Sequence, residues 1–294
     1  MTPVTTTPKV DARSLAQLMS NAGFRHLMTG SKRPGYVRRM KRYLGWEQME
    51  ADRPETIDQL LATAYQSLLR EYRHEYLYKS ALLNQYILRK YSLDDTILLN
   101  EFRIGKSVAD AVLVNGTNKV FEIKTELDNP DKLVTQLADY YKAFSQVYLF
   151  VHERLEAKYR TAVNEKVGLI LFTDDGKVLE SREAAIETSL LDAGTMMKSL
   201  RKAEYLELVS RLVGSVPDVT PVHLFKTCLA ILTDLPAEEV QRHYLSIIKR
   251  RICDETNRLI SEFDLPHYLK FPFYTLGLNE NHYLSLQKIL KTNI

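Results

Sequence analysis

The spacing of apolar residues changes twice along the chain and divides it into three stretches. From about Thr56 to Lys90, apolar residues recur every three or four positions, which predicts a helical region. From Ile97 to Glu180 they occur in short runs of β-branched and aromatic residues with a period of two, which predicts strands. A helical pattern then returns and continues to Ile294.

The middle stretch predicts six short strands with helices between some of them. One helix, from about Pro130 to Ser145, follows Asn129, which suits an N-cap, and another runs from about Leu155 to Asn164. This order predicts an α/β fold with a mixed-sheet core and helical regions on either side. The predicted strands cover residues 97–103, 108–114, 119–125, 147–151, 167–172 and 177–180.

We therefore expect three consecutive regions. Residues 1–60 would form a basic helical amino-terminal region, residues 61–185 the mixed-sheet core, and residues 186–294 a helical carboxy-terminal domain. A length of 294 residues is consistent with more than one domain.

Composition narrows the class of protein. The chain is 45% hydrophobic and 26% charged, with few glycines and prolines, which is typical of a folded, helix-rich protein. Its two cysteines cannot form a disulfide framework or a four-ligand zinc site, so a reduced, cytoplasmic setting is expected. The amino terminus lacks the apolar segment of a secretory signal, and no apolar run reaches the ~20 residues that span a bilayer. Membrane functions are therefore not expected.

Charge is unevenly distributed, although the formal net charge is only +3. Between Asp11 and Glu47 there is no acidic residue, and basic residues are interleaved with tyrosines. This segment is either a surface for a polyanion or an ordinary solvated basic helix face. The basic residues are Arg13, Arg25, Lys32, Arg33, Arg38, Arg39, Lys41 and Arg42.

Charged residues interrupt two of the predicted strands. Asp110 lies in the middle of the otherwise apolar run 108–114, and a buried carboxylate needs a cation or hydrogen-bond donors. In the next strand, the period of two places Glu122 and Lys124 on one face. We expect the two carboxylates to converge beside the ammonium, where one hard divalent cation would relieve their repulsion. The alternative is a cross-strand salt-bridge cluster on an exposed sheet face.

The register of these two strands tests the convergence. If Asn115-Gly116 were a two-residue turn, Asp110 would oppose Phe121 and lie on the wrong side of the sheet. A three- or five-residue connection, or a bulge, would instead place it opposite a charged residue of the next strand. We therefore predict that the connection is not a two-residue turn.

Asp110, followed after eleven residues by Glu122-Ile123-Lys124, resembles the motif of the PD-(D/E)xK nuclease superfamily. Ala109 stands where the family name has a proline. In the following predicted helix, Gln136 and Tyr140 resemble the Q-x-x-x-Y element of the RecB-like branch of that superfamily. The order of elements from about residue 61 to residue 185 is also similar to the family's core.

The resemblance implies a restriction-endonuclease-like fold and a nuclease that depends on Mg²⁺ or Mn²⁺. The expected substrate is DNA, contacted through its phosphate backbone and cleaved at phosphodiester bonds. Lys124 would orient the attacking water. The residues assigned by the resemblance are Asp110, Glu122, Lys124 and Glu75 for catalysis, Asp110, Glu122, Glu75 and the Ile123 backbone carbonyl for the metal, and Gln136 and Tyr140 for the substrate. Lys132 shares a stripe of the predicted helix with Gln136 and Tyr140 and is expected to contact the substrate with them.

Other interpretations stay open. Glu75 is one turn from Lys79 and would make an ordinary ion pair on a helix, while Gln136 and Tyr140 could be a surface amide and a tyrosine at the core edge. A nuclease-like fold could also bind DNA or a protein without cleaving, or residues 186–294 could be an interaction region.

The histidines show no recognisable metal-ligand spacing, and the sequence does not determine assembly. The seven histidines, among them His74, His152 and His243, show no H-x-x-x-H ligand spacing. The oligomeric state is left open, with a homodimer as one alternative.

Overall fold

The computed structural model describes residues 10–49, 53–116, 118–126, 128–252 and 254–294. Contacts divide the chain into two compact units. The first combines the described part of residues 1–89 with residues 258–294, and the second comprises residues 90–257. The last helices of the chain therefore group with the first ones, whereas the sequence predicts three consecutive regions.

Helices account for most of the described part of the first unit and for more residues of the second unit than the strands do. Within the described ranges, no helix has both the length and the apolar character that crossing a membrane requires. The helices are α1 (Ala12–Leu18), α2 (Asn21–Met28), α3 (Arg33–Leu44), α4 (Ile57–Glu71), α5 (Glu75–Ala81), α6 (Leu88–Lys90), α7 (Leu133–Tyr140), α8 (Glu156–Ala162), α9 (Ala193–Lys198), α10 (Lys202–Val213), α11 (Pro221–Thr233), α12 (Ala237–Lys249), α13 (Asp254–Glu262), α14 (His267–Thr275) and α15 (Glu280–Leu290).

The helical region predicted for residues 56–90 is interrupted in the first unit. The chain leaves helical geometry at Tyr72, where φ is −155° and ψ is 84°, and resumes it in α5. The ring of His74 stacks near those of Tyr72 and Tyr76, and its Nε2 lies 3.0 Å from the carbonyl oxygen of Met19. The interruption is a tertiary effect, because the contact partner of His74 is distant in the sequence.

The second unit is built on a six-stranded sheet whose strand order follows the chain. The first three strands are antiparallel, the third to fifth are parallel, and the sixth is antiparallel to the fifth. The predicted α/β class is confirmed, and each predicted strand is present within two residues of its expected ends. The strands are β1 (Ile97–Ile104), β2 (Ser107–Val114), β3 (Asn118–Lys124), β4 (Gln146–His152), β5 (Gly168–Phe172) and β6 (Val178–Arg182).

Both faces of the central strands are buried. Val120, Leu149 and Leu169 form a core with side chains of α7, α9, α10 and α12, while Phe121 and Tyr148 are buried on the other face. This explains the nearly continuous apolar sequence of β4 and β5, because neither face meets water. Every residue of β3 is buried, so its three charged residues, Lys119, Glu122 and Lys124, must find their partners inside the protein.

Gly168 leaves room for the ring of Tyr148 on the neighbouring strand. A Cβ at this position would lie 2.4 Å from Cδ1 of Tyr148 and 2.9 Å from the backbone nitrogen of Ala184. Because that ring is fully buried and the nitrogen belongs to the main chain, neither group can move aside easily. We expect Gly168→Ala to lower the free energy of unfolding by about 1–3 kcal/mol, measured by urea denaturation. Gly35→Ala is the control, since a Cβ there meets nothing within 4 Å, and equal losses in both variants would contradict the expectation.

Candidate functional site

The register of β2 and β3 brings the two predicted acidic residues opposite each other. Val114 pairs with Asn118, so three residues connect the strands and the predicted exclusion of a two-residue turn is confirmed. The same register, continued along the strands, places Asp110 opposite Glu122.

Asp110 lies just beyond the last described β2–β3 pair, at a place that we call the β2–β3 fork. Its Oδ2 accepts a hydrogen bond from the backbone N–H of Ile123 at 2.7 Å. A residue in a strand points its N–H and its C=O towards the same edge, so the Ile123 carbonyl also faces β2. The fork therefore holds two of the groups that the resemblance assigns to a metal.

The carboxylate of Glu122 is 2% exposed and accepts hydrogen bonds from three side chains. Lys124 Nζ and Gln136 Nε2 each donate to Oε1 at 2.6 Å, and the Tyr140 hydroxyl donates to Oε2 at 2.5 Å. Lys124 Nζ also donates to Gln136 Oε1 at 3.0 Å. The structure thus brings together four residues that the sequence singled out. With Asp110, we call them the carboxylate cluster.

Tyr140 connects the strands on the two sides of the fork. Its side chain is fully buried, and its hydroxyl also lies 3.0 Å from the carbonyl oxygen of Val108 in β2. Burial raises the pKa of this hydroxyl, and the charges of Glu122 and Asp110 raise it further, so it stays protonated and acts as a donor. Its hydroxyl is engaged inside the cluster, where it holds Glu122 in place.

Asp139 fixes α7 against the turn between β1 and β2. Its Oδ2 accepts hydrogen bonds from the Lys106 backbone N–H at 3.0 Å and from the Ser107 hydroxyl at 2.9 Å. Gly105 has a φ of +60°, and a Cβ there would lie 2.8 Å from Asp139 Oδ1, so glycine allows both the turn and the close approach. This contact positions the two α7 residues of the cluster. Asp139 was not among the residues predicted from the sequence, although its position inside the Q-x-x-x-Y element was an available signal.

Glu75 and Lys132 were predicted as site residues but are not members of the carboxylate cluster. Glu75 is the first residue of α5 in the first unit, and its Oε1 lies 2.5 Å from Lys79 Nζ. This is the local ion pair that the sequence analysis kept as an alternative. Lys132 is exposed in a short turn immediately before α7.

Glu101 is an acidic residue of β1 that the sequence analysis did not single out. The flanking β1–β2 pairs place it opposite Asp110. It is exposed, and among the described non-glycine residues it alone has a positive φ, at 55°. Such a conformation costs about 1–2 kcal/mol per residue and is found disproportionately at functional sites. The spacing of apolar residues does not indicate that a single residue has a positive φ, so Glu101 could not be predicted in this way.

Sequence comparison relates the chain to a family of phage proteins. The family described as bacteriophage P4 protein cII matches residues 69–266, which is more than half of the chain. The chain therefore belongs to this family. Protein cII of Enterobacteria phage P4 is 22% identical over 191 residues, which cover 62% of this chain and 69% of that protein.

Among solved structures, a protein of unknown function from Silicibacter pomeroyi is similar over part of the chain. The identity is 15%, the overlap covers 37% of this chain and 69% of that one, and the TM-score is 0.29. An overlap at this TM-score does not establish a common fold.

Lys124 neutralises a buried carboxylate, so its removal should destabilise the protein. We expect Lys124→Met to lower the free energy of unfolding by about 3–5 kcal/mol, because Glu122 is left buried without its ammonium. The double variant Glu122→Gln/Lys124→Met should recover much of this loss, since it leaves no charge at either position. Urea denaturation measures both. Lys132→Met, at an exposed lysine, should stay within about 0.5 kcal/mol of wild type, and a Lys124→Met variant that is equally mild would refute the assignment.

Proposed function

We propose that the protein is a metal-dependent nuclease of the PD-(D/E)xK type that hydrolyses phosphodiester bonds in DNA. The observation that carries the proposal is the β2–β3 register, which continued along the strands sets Asp110 opposite Glu122, together with the hydrogen bond that Lys124 donates to Glu122. The hydrogen bonds from Gln136 and Tyr140 to the same carboxylate support the likeness to the RecB-like branch.

The groups at the fork fit a hard divalent cation. Asp110, Glu122 and the Ile123 carbonyl offer only oxygen ligands, which Mg²⁺ and Mn²⁺ prefer. Oε1 of Glu122 already accepts two hydrogen bonds, whereas Oε2 accepts that of Tyr140 and keeps a second lone pair. The cluster contains two carboxylates and one ammonium, so a cation would offset its excess negative charge. Such an ion would supply a bound water of lowered pKa and stabilise charge on the phosphoryl group.

Each residue of the chain has a separate task in this proposal. The Lys124 ammonium orients the attacking water and offsets negative charge on the phosphate. It does so while one of its N–H groups donates a hydrogen bond to Glu122. Gln136 and Tyr140, which the resemblance assigns to the substrate, act in this proposal as positioning residues, because both donate hydrogen bonds to the Glu122 carboxylate from α7. Lys132, exposed just before α7, is suited to contact the phosphate backbone, which sets the register of the substrate without reading its sequence.

The first unit carries a basic helix that suits a polyanionic substrate. On α3, Arg38 and Arg39 are exposed. Lys41 and Arg53 lie over the ring of Trp46, at 4.0 and 4.3 Å from its centroid. Basic side chains that neutralise phosphates give affinity that is independent of sequence and falls with salt. This surface favours DNA over a small phosphate ester as the substrate.

The low solvent exposure of the carboxylate cluster favours a second function, in which the protein binds DNA or a protein without cleaving it. Glu122 is 2% exposed, Lys124 is 8% exposed, and three donors already satisfy the carboxylate. A cluster closed in this way needs no metal for its stability, as expected of a nuclease-like fold that binds DNA or a protein without cleaving it. The two functions differ in whether divalent metal supports hydrolysis.

Cleavage assays on linear, circular, branched and single-stranded DNA test the proposal. We expect the purified chain to cut DNA with Mg²⁺ or Mn²⁺ and to stop when EDTA is added. Asp110→Asn and Glu122→Gln, which remove charge and keep side-chain shape, should each lower the rate at least ~100-fold. Gel electrophoresis of the products gives the rates, and thermal melting shows that each variant is folded.

Two further variants serve as comparisons. Asp218→Asn changes an exposed carboxylate outside the cluster and should cut like wild type. Glu75→Gln tests whether the residue paired with Lys79 contributes to cleavage. A folded wild-type chain that cuts none of these substrates but binds them in a salt-dependent way would support the binding module instead.

A further inference from the structure

We propose that the second unit contains a separate site for a divalent transition ion of the Zn²⁺ class, formed by His152, Glu153 and Asp174. One ligand atom from each of the three residues lies within 4.8 Å of the others. His152 is the last residue of β4, Glu153 follows it, and Asp174 lies two residues after the end of β5, the neighbouring parallel strand. This edge of a parallel sheet is where α/β proteins bind their ligands.

His152 distinguishes this group from an ordinary set of surface acids. Its side chain is 0% exposed, and its Nε2 has no hydrogen-bond partner among the described residues. That nitrogen lies 3.3 Å from Asp174 Oδ1 but lacks the geometry of a hydrogen bond. A buried polar atom without a partner calls for an explanation, and a metal ion directed at Nε2 supplies one.

The separation of these two atoms agrees with tetrahedral coordination. Zinc binds imidazole nitrogen and carboxylate oxygen at about 2.0–2.2 Å, so two such ligands stand about 3.3–3.5 Å apart. Arg154 holds the other oxygen of Asp174, with its Nε at 3.1 Å and its Nη2 at 2.5 Å, so Oδ1 remains directed at His152. Glu153 Oε1 accepts a hydrogen bond from the Asp174 backbone N–H at 2.7 Å. This hydrogen bond keeps the Glu153 carboxylate, the third ligand, beside Asp174.

A carboxylate on the other side of the ring can set the required tautomer. Metal binding at Nε2 needs the ring proton on Nδ1, and metal-binding histidines usually donate that proton to a carboxylate or carbonyl. Glu126 Oε1 is 3.9 Å from Nδ1 of His152. The backbone N–H of Arg154 approaches the same nitrogen at 3.3 Å, which suits the other tautomer when no ion is bound.

The site is distinct from the carboxylate cluster in position and in chemistry. Lys124 pairs with Val151, so His152 projects from the sheet face opposite to that of Glu122 and Lys124. Its donor set combines nitrogen with oxygen and favours Zn²⁺ over Mg²⁺, whereas the fork offers oxygen alone. Loss of one site therefore leaves the other in place, and the failure of either proposal can be recognised separately.

Calorimetric titration of the metal-stripped full chain with Zn²⁺ tests the inference. The Asp110→Asn chain serves as the background, because it removes a charged ligand of the fork. We expect it to bind one equivalent of Zn²⁺, and a 100-fold excess of Mg²⁺ should not displace the ion. Adding Glu153→Gln or Asp174→Asn should weaken binding at least ~10-fold. Nitrogen-15 NMR should show a shifted Nε2 resonance of one histidine when Zn²⁺ is added.

Asp175→Asn is the matched control, because it changes the neighbouring exposed carboxylate, which pairs with Lys177 and is not one of the three ligands. It should bind Zn²⁺ as the background does. The inference is overturned if the background binds no stoichiometric Zn²⁺, if Mg²⁺ displaces it, or if Asp175→Asn weakens binding as much as Asp174→Asn. The two ligand variants change residues that are at least partly exposed, so they are expected to fold even if a substitution of His152 does not.

Discussion

The buried carboxylate of Glu122 is the constraint on which the arrangement of the second unit depends. A carboxylate removed from water must receive hydrogen bonds, and its donors come from β3 itself and from α7. A slip of one residue in β3 would turn Glu122 and Lys124 to the opposite face and separate them from α7. Apolar packing alone tolerates such errors better than a network in which each polar atom needs a particular partner. The cluster therefore contributes to a unique register, whatever chemistry it performs.

The strands and the carboxylate cluster could be predicted because both follow from local rules. Period-two runs end at Gly, Asn or Asp, so strand limits were close to correct. Asp110 and Glu122 stood out since charges in apolar strands need partners, and simple register counting related one strand to the next. Gln136 and Tyr140 were found through family resemblance and not through periodicity.

The remaining features depend on contacts between residues that are distant in the chain. The interruption after α4 reflects the contact of His74 with Met19, which no local pattern reveals. His152 and Asp174 are separated by a helix and a strand, so no sequence spacing relates them. The predicted role of Glu75 came from the family pattern, and its local surroundings are an ion pair with Lys79. The predicted role of Lys132 came from a helical stripe shared with Gln136 and Tyr140, and Lys132 lies in an exposed turn before α7.

The discontinuous first unit has a consequence for the order of events during synthesis. Helices α2, α4 and α5 pack against α14 and α15, which are translated only after the entire sheet. On the ribosome, the sheet-containing unit can therefore complete its fold while the early helices still lack their final neighbours. The apolar surfaces of the early helices stay uncovered until α14 and α15 have been synthesised. A chaperone would be most useful to the nascent protein during this interval.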